Sequence, residues 1–258
     1  MPSKEQDRNI SSSFAKGLAV LAVFDAASPS MSLAEIARRT GQDRATARRG
    51  ALTLVQAGYL RQDGRMLSLT PRVLELAGGF LQANQFGLRV QPVLDHHATS
   101  LGAEMTLAML DNDQVLLLAQ STVDHGPVTY GFTAGARIPL LHTSLGRMLL
   151  ACLPSDQAND LVQRNHIPGH TEQSIQDPGR IIERIDQARQ DGLVVTDGEF
   201  ETGIIGYAVA ASRPGDTPVV VGSTAPRGLG VQHRPENILR ELQLCAAELR
   251  QTKAIEGL

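Results

Sequence analysis

Apolar and polar positions in the first third of the chain recur with a helical period. Over 14–27, Phe14, Leu18, Leu21, Ala22, Val23 and Phe24 form a stripe, and Ser28-Pro29-Ser30 breaks it. Ser32 and Glu35 have the spacing of a capping box. A short helix is expected to follow, with Leu33, Ile36 and Ala37 inward and Arg38 and Arg39 outward. Gly41 suits a left-handed stop, and Asp43 is an N-cap for a further helix running to Gly58. Two helices joined by a short turn containing glycine are the pattern of a helix-turn-helix. On the second helix Ala47, Ala51 and Leu54 share one side, with Gly50 and Val55 at its margins. Ala45, Thr46, Arg49 and Thr53 lie opposite, Arg48 at the flank, and Arg44 in the first turn. Gly50 costs about 1 kcal/mol against alanine in a helix, so a tight approach to a neighbouring helix is expected there.

After Gly58 the period changes to two. Residues 59–69 alternate on either side of Asp63-Gly64, which predicts a hairpin wing carrying Arg61 and Arg65. Pro71 opens a linker helix over 72–77, softened by Gly78-Gly79. Farther on, 104–110 and 114–120 read as a hairpin across Asp111-Asn112-Asp113. Strands are expected at 128–132, 193–196, 204–211 and 219–223, and helices at 144–153, 178–190 and 235–253. Strands and helices without regular βαβ alternation make the class α+β. The expected division is a mobile polar tail at 1–12, a winged helix-turn-helix at 13–77, a linker at 78–90, and a second domain at 91–258.

Composition sharpens this picture. At 258 residues and 42% hydrophobic, the chain has material for two cores. Net charge is −3, but residues 1–80 hold 11 Lys+Arg against 7 Asp+Glu, and the remainder 13 against 20. Only the first part is therefore suited to a polyanion. Small and cationic side chains on an exposed helix fit the major groove of double-stranded DNA. Arg44, Arg48 and Arg49 can offer bidentate forks to guanine, and Thr46 with Ala45 can meet a thymine methyl or a phosphate. Arg61 and Arg65 would position rather than specify. The plainer alternative is a solvated helix with incidental arginines. Two widely spaced cysteines, Cys152 and Cys245, form no disulfide framework, and a reducing cytoplasmic setting is expected. No apolar run approaches the ~20 residues of a membrane span, so no membrane partner is expected.

The residues "SFAKGLAVLAVFDAA" (13–27), "SLAEIARRTGQDRATARR" (32–49) and "GYLRQDGRMLSLTPRVLELA" (58–77) resemble the IclR family of bacterial transcription regulators. "RATARR" and "LTPRVLEL" look most like the branch that controls aromatic-acid catabolism through protocatechuate and related compounds. The resemblance implies a winged helix-turn-helix, a linker helix and an effector-binding, oligomerising domain similar to GAF domains. It also implies homodimers or homotetramers on palindromic operators. Three stretches match the family's sensing pocket. In "HTSLGRMLLACL" (142–153), Thr143, Ser144 and Leu145 open a helix whose free amides could hold a carboxylate, with Arg147 assisting. "TDGEFETG" (196–203) supplies Asp197 and Glu199 and leads to Ile204 and Gly206. "VVVGSTAP" (219–226) supplies Thr224. The chain departs from the family pattern at Leu141, Ile205, Gly206 and Ala210, where lost polar groups are expected to open space. His142, Tyr130 and Tyr207 are further candidate polar contacts.

Enzyme readings are weak. Ser144 lacks the first glycine of a nucleophile elbow, and "GLGVQH" (228–233) lacks the third glycine of a dinucleotide fingerprint. His96 and His97 are adjacent and diverge on a helix, so they cannot share a metal as an i, i+4 pair would. No catalytic residue, cofactor or metal is assigned. The alternatives carried are a small-molecule-binding or hydrolytic enzyme and a winged helix that binds protein. With aromatics at 3% and no Trp, stacking platforms for single strands are scarce.

Overall fold

The computed structural model describes residues 10–25, 27–122, 134–228, 234–256 and 258. The chain divides into two compact units between Ala83 and Asn84.

The first unit contains α1 (Ser12–Ala22), β1 (Ser30–Ser32), α2 (Leu33–Thr40), α3 (Arg44–Gln56), β2 (Leu60–Asp63), β3 (Met66–Leu69) and α4 (Val73–Ala83). Local chemistry fixes the α2–α3 turn. The Ser32 hydroxyl accepts from Glu35 N–H at 3.3 Å while the Glu35 carboxylate accepts from Ser32 N–H at 3.3 Å. Gly41 ends α2 at φ +65°, and Asp43 caps α3 by accepting from Thr46 N–H at 2.9 Å. Val20, Met31, Ile36, Ala47, Ala51, Leu60 and Leu67 form the core.

Several expectations change here. α1 stops at Ala22, and Phe14 and Leu18 are exposed; Phe24 of the expected stripe is buried, but within the helix the buried residue is Val20, outside the stripe. The reason lies in the α1–α3 crossing. A Cβ on Gly50 would stand 3.4 Å from Val20 Cγ2 and 3.7 Å from Gly17 Cα, so the Gly17–Val20 side of α1 faces α3. The wing has a third strand: β1 pairs with β3, Met31 opposite Leu67, in the order β1-β3-β2. Asp63 pairs with Met66, so the two-residue loop is Gly64-Arg65, one position later than expected, with Gly64 at φ +57°. Helix α4 runs unbroken through Gly78-Gly79 to Ala83.

The second unit contains α5 (Phe86–Arg89), α6 (Gln91–Leu101), β4 (Thr106–Asp111), β5 (Gln114–Gln120), β6 (Arg137–Ile138), α7 (Ser144–Cys152), α8 (Ser155–Arg164), α9 (Pro178–Asp191), β7 (Leu193–Asp197), β8 (Ile204–Ala210), β9 (Val219–Pro226) and α10 (Pro235–Thr252). The strands form one antiparallel sheet in the order β6-β5-β4-β9-β8-β7. Side chains alternate between its faces. Ala108, Leu117, Ala208 and Val220 pack with Leu145, Leu149, Ile181 and Ile185 of α7 and α9. The intervening Tyr207, Val209, Val219 and Val221 turn to the other face, where α10 packs on β8 and β9 and against α6. On that side His97 of α6 is clamped by α10, its Nδ1 2.7 Å from Glu241 and its Nε2 3.1 Å from Glu248. Helices α5, α6 and α8 and strand β6 are not among the expected elements. The strand expected at 128–132, and Tyr130 within it, lie outside the described residues, as do 1–9 and 229–233.

Candidate functional site

Helix α3 presents its polar side outward. Ala47 and Ala51 are fully buried, whereas Arg44, Ala45, Arg48, Arg49 and Thr53 are exposed and Thr46 is half-buried. The Thr46 hydroxyl and amide, both donating to Asp43, hold that carboxyl below its usual value. The cap therefore carries its charge at neutral pH. Arg49 Nη2 reaches the Thr46 hydroxyl at 3.3 Å. Among the described residues no carboxylate pairs with Arg44, Arg48, Arg49 or Arg65. Arg39 differs: it turns back to Asp25 at 3.0 Å rather than remaining free. On the wing, Arg61 Nε donates to the Ser68 hydroxyl at 2.9 Å, and both Arg61 and Arg65 are exposed.

The second unit holds a cavity of about 90 Å³ between the start of α7 and the sheet. Of the eight candidate effector residues, Thr143, Ser144, Leu145, Glu199, Ile204, Gly206 and Thr224 line it. Asp197 does not. It follows Thr196 on the alternate face of β7, is exposed, and accepts from Arg227 Nη2 at 2.6 Å.

Close approach of α7 to the sheet shapes the cavity. A Cβ on Gly146 would lie 2.0 Å from the Leu140 carbonyl oxygen, and one on Gly222 would lie 2.7 Å from Leu145 Cδ2. A Cβ on Gly206 would meet Ser144 Oγ at 2.7 Å and Thr196 Oγ1 at 2.9 Å. Gly206 therefore opens no free space; the two hydroxyls occupy it. Thr143 caps α7, accepting from Gly146 N–H at 3.1 Å and donating to the Pro139 carbonyl at 2.7 Å. The Ser144 and Thr196 hydroxyls, each 5% exposed as residues, have no hydrogen-bond partner among the described residues.

Arg147 does not assist a ligand as expected. Its guanidinium is buried and makes a bidentate pair with Glu199, Nη1 to Oε1 at 2.8 Å and Nη2 to Oε2. The turn carrying Glu199 is braced from outside the strands: Thr171 donates to the Gly198 carbonyl at 2.6 Å and Ser174 to the Glu199 carbonyl at 2.7 Å. His142 does line the cavity, donating from Nε2 to the Ile175 carbonyl at 2.9 Å. Burial pushes its pKa below the usual imidazole value. Tyr207 is excluded, being on the opposite face of β8 from Gly206.

Sequence reasoning missed Glu104, Thr106, Leu117, Gln120 and Ile138 on one flank. It also missed Thr196, Phe200 and Glu201 on the other. Thr106 pairs with Gln120 but Ala108 with Leu117, because the register shifts between Leu107 and Ala108. That bulge turns Gln120 and Leu117, three residues apart, to one face. Nothing local in the sequence marks it.

A winged helix-turn-helix with free arginines, in one chain with a sheet-and-helix unit enclosing a small cavity, defines a ligand-responsive DNA-binding regulator. The model of the IclR helix-turn-helix domain matches residues 13–64, and that of the bacterial transcriptional regulator IclR C-terminal domain matches residues 81–249. The chain belongs to the IclR family of bacterial transcriptional regulators. It is 32% identical over 203 residues to the Pca regulon regulatory protein of Pseudomonas putida, covering 79% of this chain and 70% of that one. It is 30% identical to the p-hydroxybenzoate hydroxylase transcriptional activator of Acinetobacter baylyi, covering 76% and 73%. An IclR homolog from Microbacterium hydrocarbonoxydans, solved in complex with 4-hydroxybenzoate, shares the fold at a TM-score of 0.74 and 22% identity, covering 93% and 98%. These relatives are regulators, and the chain is a transcriptional regulator rather than an enzyme.

Proposed function

We propose that this regulator binds a palindromic operator as a homodimer or a pair of dimers and controls a catabolic operon for an aromatic or other carboxylic acid. The observation that carries the DNA reading is the set of cations Arg44, Arg48 and Arg49 on the exposed side of α3, without a carboxylate partner among the described residues. Arg44, Ala45, Thr46, Arg48 and Arg49 enter the major groove, while Arg61 and Arg65 on the wing hold phosphates. Dimerisation is supported by helix α4, which buries no residue within the chain and exposes Leu74, Leu76 and Phe80.

The effector site is the cavity lined by Thr143, Ser144, Leu145, Glu199, Ile204, Gly206 and Thr224. The similarity to the Pca regulon regulatory protein and to the p-hydroxybenzoate hydroxylase transcriptional activator supports an acid as its occupant. Effector changes transcription by binding two arrangements of the protein with different affinity. The test is selection from a pool of random DNA duplexes with the full-length protein. An enriched sequence with two inverted half-sites is expected. Binding without enrichment of any sequence would contradict the reading.

A further inference from the structure

The cavity's charge is one-sided. Glu104, Glu199 and Glu201 line it, and among the described residues no lysine or arginine does. Of the three, Glu199 is neutralised by Arg147 behind the wall, and among the described residues neither of the others pairs with a cation. Among the described residues the Glu104 carboxylate accepts only the Thr106 hydroxyl, at 3.2 Å. The Glu201 side chain has no hydrogen bond or ion pair among the described residues, and desolvation pushes its carboxyl above the usual value. Both are partly exposed, whereas Ser144 and Thr196 are nearly inaccessible.

The donors are the more deeply buried part of the lining. Thr196 stands opposite Gly206 across β7 and β8, with Ser144 Oγ against the same glycine. Two buried hydroxyls without partners thus sit together beside the first turn of α7, whose amides carry partial positive charge. Thr224 lies opposite Gly206 on β9 and Thr106 opposite Gly222. Continuing that register by two residues brings Glu104 level with Thr224. The cavity lining therefore combines a nearly inaccessible pair of hydroxyl donors with two partly exposed carboxylates.

We propose that the effector is an acid that also bears a cationic amine. Its carboxylate accepts from Ser144, Thr196 and the start of α7, and its ammonium sits at Glu104 and Glu201. The proposal rests on the cavity being the effector site. A simple anion satisfies the hydroxyl pair but leaves two carboxylates of the lining without countercharge; the ammonium supplies it.

The test uses the full-length protein and matched probes that differ only in the amine: 4-aminobutyrate against pentanoate, and 4-(aminomethyl)benzoate against 4-ethylbenzoate. Calorimetric titration and thermal shift should show at least one amine-bearing member binding about 10-fold or more tighter than its partner. Glu104→Gln and Glu201→Gln should each reduce that preference, while Ser144→Ala weakens both members alike. If the amine-free members bind as tightly, with the glutamine variants indifferent and Ser144→Ala weakening them, the cavity remains the effector site and the zwitterion is wrong. If no probe binds, the cavity reading falls with it.

Discussion

Gly206 concentrates the geometry of the proposed effector cavity in one position. Its hydrogen is all that fits between the Ser144 and Thr196 hydroxyls and β8. Gly206→Ala should lower stability by about 1–3 kcal/mol, the range for overpacking a filled core, and displace the hydroxyl pair. Urea denaturation reads the first effect; an unchanged midpoint would mean that the α7 approach is looser than described. The cysteines give a second residue-scale expectation. Burial pushes the Cys152 thiol up to about 11 and the Cys245 thiol up to about 12, from an ordinary 9.0. The unfolded chain releases these protons first, so their contribution is complete below pH 9 and is lost as pH rises through 11 and 12. Tyr207, also pushed up by burial, adds to the alkaline loss. The readout is therefore a comparison: wild type should lose more stability between pH 8 and pH 10.5 than Cys152→Ala/Cys245→Ala, and parallel profiles would refute it.

Among the elements, the α2-turn-α3 segment was legible because its signals are local. Ser32, Glu35, Gly41 and Asp43 each act within four residues of their own position. Ser32→Ala should cost about 1 kcal/mol, as loss of an N-cap does. Amide exchange across α2 should accelerate, with no change in the second unit; equal protection would show that packing alone holds the helix. Elements defined by distant partners were not legible. β1 is three residues between a breaker and a cap, and exists because Met31 finds Leu67 across the wing. Helix α4 crosses two glycines where composition suggested a softening. On the cavity wall, α7 and β8 supplied readable motifs, whereas Glu104, Thr106 and Gln120 join through strand register and a bulge that no short stretch encodes. Arg147 was misassigned for a related reason: its partner Glu199 lies 52 residues away.

At the scale of the whole molecule, the basic excess in residues 1–80 and the acidic excess beyond assign the two units different partners. The first meets a polyanion, so affinity for duplex should fall steeply with salt. The second holds the cavity proposed to take the effector. The DNA reading depends on the exposed arginines of α3. The decisive measurement is fluorescence anisotropy on the duplex selected from the random pool, comparing wild type with Arg48→Ala/Arg49→Ala at fixed salt. Each arginine that contacts a base edge contributes about 1–3 kcal/mol of discrimination. The double variant should therefore bind at least about 10-fold more weakly, with its circular dichroism and melting unchanged. Unaltered affinity in a folded double variant would contradict the account.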